Sequence, residues 1–367
     1  MSPRALGGGG SATGSTALPP DPDRMVGAGG IVEVAALAGV SPATVSRALR
    51  GLPGVSASTR AAVRVAAEQL GYVASASASA LARGRTSAVG VLAPWISRWF
   101  FAAVIEGAQE LITSHGYDML LYPLGANAGP DAGPVDARAL HKRVDGVLGL
   151  NVPASMPTDS LRDLRVPLVT VGSTVPGLSG VQVDDVRIGL EATRHLLGLG
   201  HSRIGFLGLD PDDLYGFTVA ADRHRGYVQA LEQAGIEPDP RLTEVTGWAV
   251  QGGEAGLGHQ LELAAAAGRT LPTAFVAVSD EVAMGALYAA RCRGIRVPQD
   301  LSVIGVDDHD LSYLFDLTTV SQPVRRQGRL AAELLLEQME GGAAARPRVV
   351  QIDPGLVVRS TTGPPRD

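Results

Sequence analysis

The stretch GVSPATVSRALRG, residues 39–51, gathers proline, arginine and small polar side chains at the start of a short helical segment. Ser41 is a good helix N-cap, and Pro42 suits the first helical position because its missing N–H needs no partner there. An apolar face follows at helical spacing: Val45, Ala48 and Leu49. The sequence therefore predicts a helix over 42–50 whose first turn faces outward and suits a polar, negatively charged partner.

The segments on either side predict two more helices. One covers 31–38 and ends at Gly39, which can adopt the left-handed conformation that closes a helix. The other covers 57–70 and begins after Ser56, a second N-cap. The side chains expected to point inward from these two helices are Val34, Leu37, Ala38, Val63, Ala67 and Leu70. Two helices joined by a short turn, with a third packed on them, form a helix-turn-helix unit.

Charge is distributed unevenly along the 367 residues. The whole chain carries −6, but residues 30–87 carry +4, from six arginines and two glutamates, and the 280 residues after them carry −10. A basic segment joined to an acidic body is typical of a nucleic-acid-binding module attached to a module of another kind. A chance cluster of solvated arginines is the alternative explanation.

Composition divides the chain into four parts. Residues 1–29 are rich in Gly, Ser and Pro and are expected to be a disordered tail, with Met25 as an alternative start; 30–74 form the helix-turn-helix headpiece, and 75–87 a linker. Over 88–360, apolar runs of strand length alternate with helical stretches, which favours α/β architecture with parallel sheets covered on both faces. We expect a doubly wound parallel-sheet domain of two lobes, with ligands at the carboxyl ends of strands.

The predicted helix over 42–50 carries groups suited to the major groove of DNA. Arg47 can form paired hydrogen bonds with guanine O6 and N7, while Pro42 and Ala43 can make only apolar contacts, for example with a thymine methyl. Side chains that suit phosphate oxygens complete the expected DNA surface: Ser41, Thr44, Ser46 and Arg50. A surface helix with a good cap is the alternative.

Several function classes lack support in the sequence. No apolar run reaches the length needed to cross a bilayer, and the N-terminal residues do not resemble a secretory signal. A single cysteine, Cys292, fits a reducing compartment, so we expect a cytoplasmic protein. The seven histidines are scattered, no spacing is typical of a metal site or a bound cofactor, and no catalytic constellation is present, so we do not expect an enzyme.

The motif VA-xx-AGVS-xx-TVSR, within residues 34–47, closely resembles the headpiece of the lactose-repressor family of bacterial transcription regulators. The resemblance continues to about residue 360. It implies operator reading by Pro42, Ala43 and Arg47, a hinge helix in the linker, and a minor-groove wedge at Leu81. It also implies a homodimer on a near-palindromic operator. Gly30 departs from the family, since it stands where a capping Thr is usual.

The body resembles the family's effector domain, which shares its fold with periplasmic sugar-binding proteins. The resemblance implies that Arg223 and Trp248 contact the effector and that Phe100 and Phe101 line the other side of the cleft. Further polar candidates lie at predicted strand ends: Asp184, Asp185, Ser279, Asp280 and Asp307. For Asp185 and Asp280 a helix N-cap is an equally good interpretation. Trp95 is a further candidate for contact with the effector, although Trp95, Arg98 and Trp99 depart from the family pattern.

Carboxylates, an arginine and an indole suit the hydroxyls and apolar face of a sugar. We therefore expect a repressor whose operator affinity a carbohydrate controls by changing the angle between the lobes. A solute-binding protein without a DNA role, and a regulator with a purine effector or an activating role, remain alternatives. A Rossmann-type enzyme would need a glycine-rich loop and an acid–base pair, which the sequence does not offer.

Overall fold

The structure is a computed structural model, and it describes residues 30–72, 85–124, 140–153, 161, 164–210, 216–268, 270–341 and 346–366. The chain divides into two compact units, residues 1–84 and residues 85–367. Leu81, the expected minor-groove wedge, and the expected tail over 1–29 lie outside the described residues.

The first unit contains three helices: α1 Ile31–Leu37, α2 Pro42–Leu49 and α3 Ala57–Gln69. Ser41 Oγ accepts a hydrogen bond from the Thr44 backbone N–H, and Ser56 Oγ accepts one from Thr59. Gly39 has φ of 67°, the left-handed conformation expected at the end of α1. A small core joins the three helices: Val34, Ala35, Val45, Ala48, Val63, Ala66 and Ala67.

Helix α1 differs from the sequence prediction on one side. Leu37 was expected to point inward, but its side chain is 53% exposed. Ala35 is buried in its place, because the inward face of this short helix follows Ile31, Val34, Ala35 and Ala38. The N-cap of α1 is Gly30, which forms no side-chain cap bond.

The second unit contains two six-stranded sheets, each with helices packed on it. The first sheet belongs to the first lobe and has strand order β11-β5-β4-β3-β1-β2, all parallel. Its strands are β1 Ala88–Ala93, β2 Asp118–Pro123, β3 Gly146–Leu150, β4 Leu168–Val171, β5 Ser179–Val183 and β11 Val349–Ile352. Its long helices are α4 Trp99–Ser114 and α9 Val324–Gly341.

The second lobe has strand order β12-β10-β9-β8-β6-β7, parallel except for β12. Its strands are β6 Ile204–Leu209, β7 Thr243–Val245, β8 Ala274–Ala277, β9 Ser302–Asp307, β10 Thr318–Ser321 and β12 Gly355–Val357. Its helices are α5 Asp185–Gly198, α6 Val219–Gln233, α7 Val250–Ala267 and α8 Asp280–Cys292, with 3₁₀ turns at Pro240–Leu242 and Ser312–Phe315. The central strands are buried along their whole length, as expected for a parallel sheet covered on both faces.

The chain passes between the two lobes three times in the described residues. The crossovers run from β5 to α5 over 183–185, from β10 to α9 over 321–324, and from β11 to β12 over 352–355. A cleft between the lobes is therefore bordered by both sheets and by the crossover segments themselves.

None of the described helices alone has the length and hydropathy to span a membrane. Helices α1 and α2 satisfy that test only when they are taken together, across a bend of 96°. Their inward faces pack on α3 in the headpiece core.

Candidate functional site

Helix α2 and its two caps carry the expected DNA-facing residues on the headpiece surface. Pro42, Ala43 and Arg47 are exposed, and Thr44 and Ser46 are half-buried. The Ser41 and Thr44 hydroxyls lie 2.9 Å apart, so they share a hydrogen bond in addition to the cap. The structure therefore places seven of the eight sequence-predicted DNA residues on one helix and its caps, from the N-cap Ser41 to the C-cap Arg50.

Hydrogen bonds to the backbone order two arginines of this surface. Arg47 Nη2 donates to the Pro53 carbonyl oxygen at 2.8 Å, and Arg50 Nε donates to the Ser46 carbonyl oxygen at 3.1 Å. The bond of Arg47 uses one nitrogen of the guanidinium, whose planar fork has five N–H groups. The remaining donors of Arg47 are in a position to contact an acceptor outside the headpiece.

The second unit has a cavity between its lobes, with about 800 Å³ of empty space including the open mouth. Eight of the ten effector candidates named from the sequence line it: Trp95, Phe100, Phe101, Asp185, Arg223, Trp248, Ser279 and Asp307. Both lobes contribute to this set, so a ligand in the cavity would contact both.

Aromatic rings form the apolar part of the wall. Trp95 lies 5.9 Å from Phe101 and 5.7 Å from Phe217 between ring centroids, and Phe217 comes from the opposite lobe. On the second lobe, the Arg223 guanidinium lies 5.8 Å from the centre of the Trp248 ring. Flat apolar surfaces beside charged groups can hold a ring that carries polar substituents.

Arg223 is the centre of the buried charges. It extends from α6, and its Nε donates to Asp185 Oδ1 at 2.8 Å while its Nη1 lies 3.8 Å from Asp307 Oδ1. Arg223 Nη1 also donates to the Val278 carbonyl oxygen at 2.5 Å. These bonds hold the guanidinium between two carboxylates. Buried charges are unfavourable unless they are paired, so the three groups stabilise one another.

Burial dominates the protonation of the acidic side chains around the cavity. Desolvation raises the pKa of Asp307 to about 6, although Arg223 and a hydrogen bond from Gln322 act in the opposite direction. Desolvation also raises the pKa of Asp185, against the attraction of Arg223. These carboxylates therefore hold protons at higher pH than exposed aspartates do.

Two predicted effector residues, Asp184 and Asp280, do not line this cavity. Asp184 is the exposed N-cap of α5, with Oδ1 accepting from the Arg187 N–H at 3.0 Å, and its neighbour Asp185 lines the cavity instead. Asp280 is fully buried behind the cavity wall, where it accepts hydrogen bonds from Ser312, Thr319 and His309. Both differ from the prediction because a strand-to-helix junction aims successive side chains in different directions.

Sequence reasoning missed several residues that line the cavity: Asn151, Phe217, Glu281, Gln322 and Gln327. Amides and a glutamate at the ends of elements are typical of any exposed loop, so their residue types carry no signal. Asn151 directly follows β3, a strand end that the order of the sheet would have identified. Trp99, by contrast, points away from the cavity, and its Nε1 donates to Asp310 Oδ2 across the lobes at 2.9 Å.

No group of three or more His, Cys, Asp or Glu side chains within the described residues is arranged to hold a metal ion.

Comparisons with known proteins agree on one family. Residues 30–75 match the model of bacterial regulatory proteins of the lacI family, and residues 193–362 match a periplasmic binding protein-like domain. The chain is 32% identical to the transcriptional regulator DegA of Bacillus subtilis over 91% of this chain and 98% of DegA. It is 33% identical to the repressor CytR of Escherichia coli K12, over 90% of this chain and 95% of CytR.

Solved structures give the same result. The chain resembles a regulator in the CelR–cellobiose complex, with 29% identity, a TM-score of 0.64, and coverage of 91% of this chain and 99% of that one. A lacI-family regulator from Mycobacterium smegmatis is 36% identical, with a TM-score of 0.60, over 76% of this chain and 100% of its own. With its helix-turn-helix headpiece and its two-lobed domain, the chain belongs to the lacI family of DNA-binding transcription regulators that respond to small molecules.

Proposed function

We propose that this regulator is a cytoplasmic repressor that binds a near-palindromic operator as a homodimer and releases it when a carbohydrate enters the interlobe cavity. The observation that carries the proposal is the cavity itself. Its wall joins aromatic rings to buried carboxylates and a paired arginine, and both lobes contribute to it. A ligand held in this way contacts both lobes and so favours one angle between them.

In the headpiece, the proposal assigns base reading to Arg47, with apolar contacts from Pro42 and Ala43. Ser41, Thr44, Ser46 and Arg50 contact phosphates, and Leu81 is the proposed wedge in the minor groove. The exposure of the first turn of α2 supports this assignment, because the N-terminal residues of a recognition helix are the ones that reach base edges.

Exposed apolar surface supports a dimer. Leu120 and Leu121 are exposed on β2, which is an edge strand of the first sheet. The 3₁₀ turn of the second lobe exposes four more apolar side chains: Leu311, Tyr313, Leu314 and Phe315. Exposed apolar clusters of this kind mark contacts with other proteins, and we assign them to a second copy of the chain. Two copies place two headpieces on two half-sites, as an inverted repeat requires.

The DNA assignment is tested with duplexes that the full-length chain selects from a random library, by fluorescence anisotropy at several salt concentrations. Arg47→Ala is expected to weaken binding to the selected inverted repeat by about 5- to 150-fold, the effect of losing one paired base contact of ~1–3 kcal/mol. Its binding to random duplex is expected to change far less. Thermal unfolding verifies that loss of the Pro53 bond leaves the headpiece folded.

Arg64→Ala is the matched control, because Arg64 is an exposed arginine of α3 with the same charge. Its loss is expected to lower binding to all duplexes about equally, which is the behaviour of a general electrostatic contact. An Arg47→Ala protein that retains its preference for the inverted repeat would refute the groove assignment. A wild-type chain without any salt-sensitive sequence preference would refute the DNA-binding function as a whole.

A further inference from the structure

Two side chains that line the cavity, Asn151 and Gln327, each have a buried oxygen without a hydrogen-bond partner in the described part of the chain, and Gln327 is the more deeply buried of the two. Gln327 lies in the first turns of α9, its residue is 1% exposed, and it lines the cavity. Its Oε1 is one of three buried side-chain oxygen or nitrogen atoms without a hydrogen-bond partner in the described part of the chain. A buried amide oxygen without a partner is unfavourable, so its persistence at a cavity wall indicates that a ligand completes it.

The orientation of this amide follows from its neighbours. Asp307 Oδ1 accepts a hydrogen bond from Gln322 Nε2 at 2.6 Å, and an ionised carboxylate can only accept. The Gln322 amide must therefore turn its Oε1 the other way, where it accepts from Gln327 Nε2 at 3.3 Å. With its nitrogen used in this way, Gln327 can present only its oxygen to a ligand. The carboxylate thus fixes the polarity of a group two side chains away.

The other polar side chains that line the cavity are also mainly hydrogen-bond acceptors. Asp185, Asp307 and Glu281 contribute three carboxylates, and Arg223 and Arg98 contribute two guanidiniums. Arg223 is bonded to Asp185 and to a backbone carbonyl, and Arg98 lies 3.9 Å from Glu281. The described lining therefore carries a formal charge of −1, and both of its cations already face a carboxylate. Acceptor atoms dominate, and an anionic ligand would meet uncompensated negative charge.

We propose that Gln327 is a specificity-determining contact whose Oε1 accepts a hydrogen bond from the ligand, and that the ligand is uncharged or cationic and rich in hydrogen-bond donors. The class includes neutral sugars, other polyols and amino sugars, and it excludes sugar phosphates and uronic acids. The inference rests on the proposed function in one respect only, that a small molecule binds in the interlobe cavity.

The test measures binding of four sets of probes to the full-length chain, by thermal shift and then by calorimetry. The sets are neutral mono- and disaccharides, the matching 2-amino sugars, the matching 6-phosphates and the matching uronic acids. Binding is expected within the first two sets. The phosphate or uronate of any sugar that binds is expected to bind at least tenfold more weakly.

Gln327→Met removes the acceptor and keeps nearly the same volume. It is expected to weaken the best neutral or amino ligand at least tenfold. The melting temperature of the unliganded protein is expected to change little, because loss of the orphan oxygen offsets loss of the 3.3 Å bond that Gln327 Nε2 donates to Gln322 Oε1. Gln338→Met is the matched control, since Gln338 lies on the same helix and donates to Ser179 Oγ at 2.6 Å, outside the cavity lining. Its ligand affinity is expected to remain that of the wild type.

Tighter binding of the anionic sets, absence of binding by every neutral and amino probe, or equal affinity in Gln327→Met would each overturn the inference. Operator release is measured separately on the same probes. A neutral sugar that binds through Gln327 without releasing DNA would support the inference and contradict the proposed regulation. A sugar phosphate that binds and releases DNA would support the proposed regulation and contradict the inference.

Discussion

Arg223 has a structural role as well as a place in the cavity. Its side chain is 4% exposed, and its guanidinium faces the carboxylates of Asp185 and Asp307, which are themselves largely buried. Removing one partner of such a set leaves the other charges buried and unpaired, which costs more than the net value of the pair. Loss of ligand binding in an arginine variant would therefore be difficult to separate from loss of stability.

A double-mutant comparison separates the two effects. Arg223→Ala is expected to lower the free energy of unfolding by about 3–5 kcal/mol, because Asp185 and Asp307 lose their cation. Arg223→Ala combined with Asp185→Asn is expected to recover part of that loss, since one of the two unpaired charges is gone. Urea unfolding of the wild type, both single variants and the double variant measures the coupling. Purely additive losses would contradict the ion-pair account.

The buried carboxylate of Asp280 predicts a pH dependence of stability. Desolvation, and next the charge of Asp307, raise the pKa of Asp280 to about 7 in the folded protein, well above the ordinary value of 3.8 for an aspartate. The folded state therefore binds more protons than the unfolded state between about pH 4 and pH 7, so this group's contribution to stability falls as pH rises through 7.

The comparison with Asp280→Asn isolates that contribution. Histidines also titrate between pH 5 and pH 8, but they are present in both proteins and their effect cancels. The stability advantage of the wild type over Asp280→Asn is expected to be larger at pH 5 than at pH 8, by about 1 kcal/mol or more. Urea unfolding at the two pH values measures the difference. An advantage that grows toward pH 8 would show that the carboxylate is stabilised in its ionised form.

The sequence alone was sufficient to predict the helix caps, where a residue interacts with backbone groups of its own turn. Ser41, Ser56 and Gly39 occupy the caps that the sequence predicts, because capping depends on residues within one turn. Asp184 and Asp185 show where such local signals stop being informative: Asp184 is the N-cap of α5, whereas Asp185 lines the cavity. One position along the chain separates a solvent-exposed cap from a cavity carboxylate, and the sequence does not specify which residue begins the helix.

At the scale of elements, three helix pairs share one packing device. In each pair a glycine of one helix lies against the backbone carbonyl three residues before a glycine of the other helix, and the contact is reciprocal. The pairs of glycines are Gly107 with Gly328, Gly189 with Gly226, and Gly253 with Gly285. In each pair the two helix backbones lie so close together that a side chain larger than glycine would overlap a carbonyl group of the other helix.

The glycine pair of α5 and α6 has a direct consequence for the cavity. A Cβ at Gly189 would come within 3.0 Å of the carbonyl oxygen of Arg223, closer than real side chains approach. Close packing at Gly189 therefore fixes the backbone from which Arg223 extends. Periodicity in the sequence predicts both helices, but it does not predict this contact, because the two glycines are 37 positions apart.

Gly189→Ala is expected to destabilise the protein by ~1–3 kcal/mol, because α5 and α6 must separate to admit the methyl group. Gly198→Ala is the control at the end of the same helix, where an added Cβ has no heavy atom within 4 Å. It is expected to be neutral or slightly stabilising, since alanine favours the helix. Chemical denaturation measures both. Equal effects at the two positions would contradict the packing argument.

At the scale of the whole second unit, the cavity and the connections between the lobes share residues. Asp185 lies on the first crossover and Gln322 on the second, and both line the cavity. A ligand that contacts them would act on the segments that connect the two lobes. The sequence predicts two lobes from alternating strands and helices. It does not predict the crossovers, since these depend on which strand joins which sheet.

Outside the cavity, Asp310 joins the lobes through a second set of contacts. It lies between β9 and β10 of the second lobe and accepts from Trp99 of α4. It also accepts two bonds from Arg325 of α9, at 2.9 Å and 2.7 Å. Arg325 is oriented in turn by Glu106 of α4, whose Oε2 lies 2.7 Å from its Nε. This interlobe clamp favours the same arrangement of lobes that encloses the cavity.

Asp310→Ala is therefore expected to shift the unliganded protein toward more open arrangements and to weaken ligand binding. The pair is about half-exposed, so a loss of roughly 0.5–1 kcal/mol is expected, equivalent to a two- to fivefold increase in the apparent Kd. The effect should diminish with added salt because the charges are accessible to solvent. Asp300→Ala is the control, since Asp300 pairs with Arg296 within one lobe. Small-angle scattering of the unliganded proteins should show a larger radius of gyration for Asp310→Ala alone. If both variants lose affinity equally, the clamp does not control the angle between the lobes.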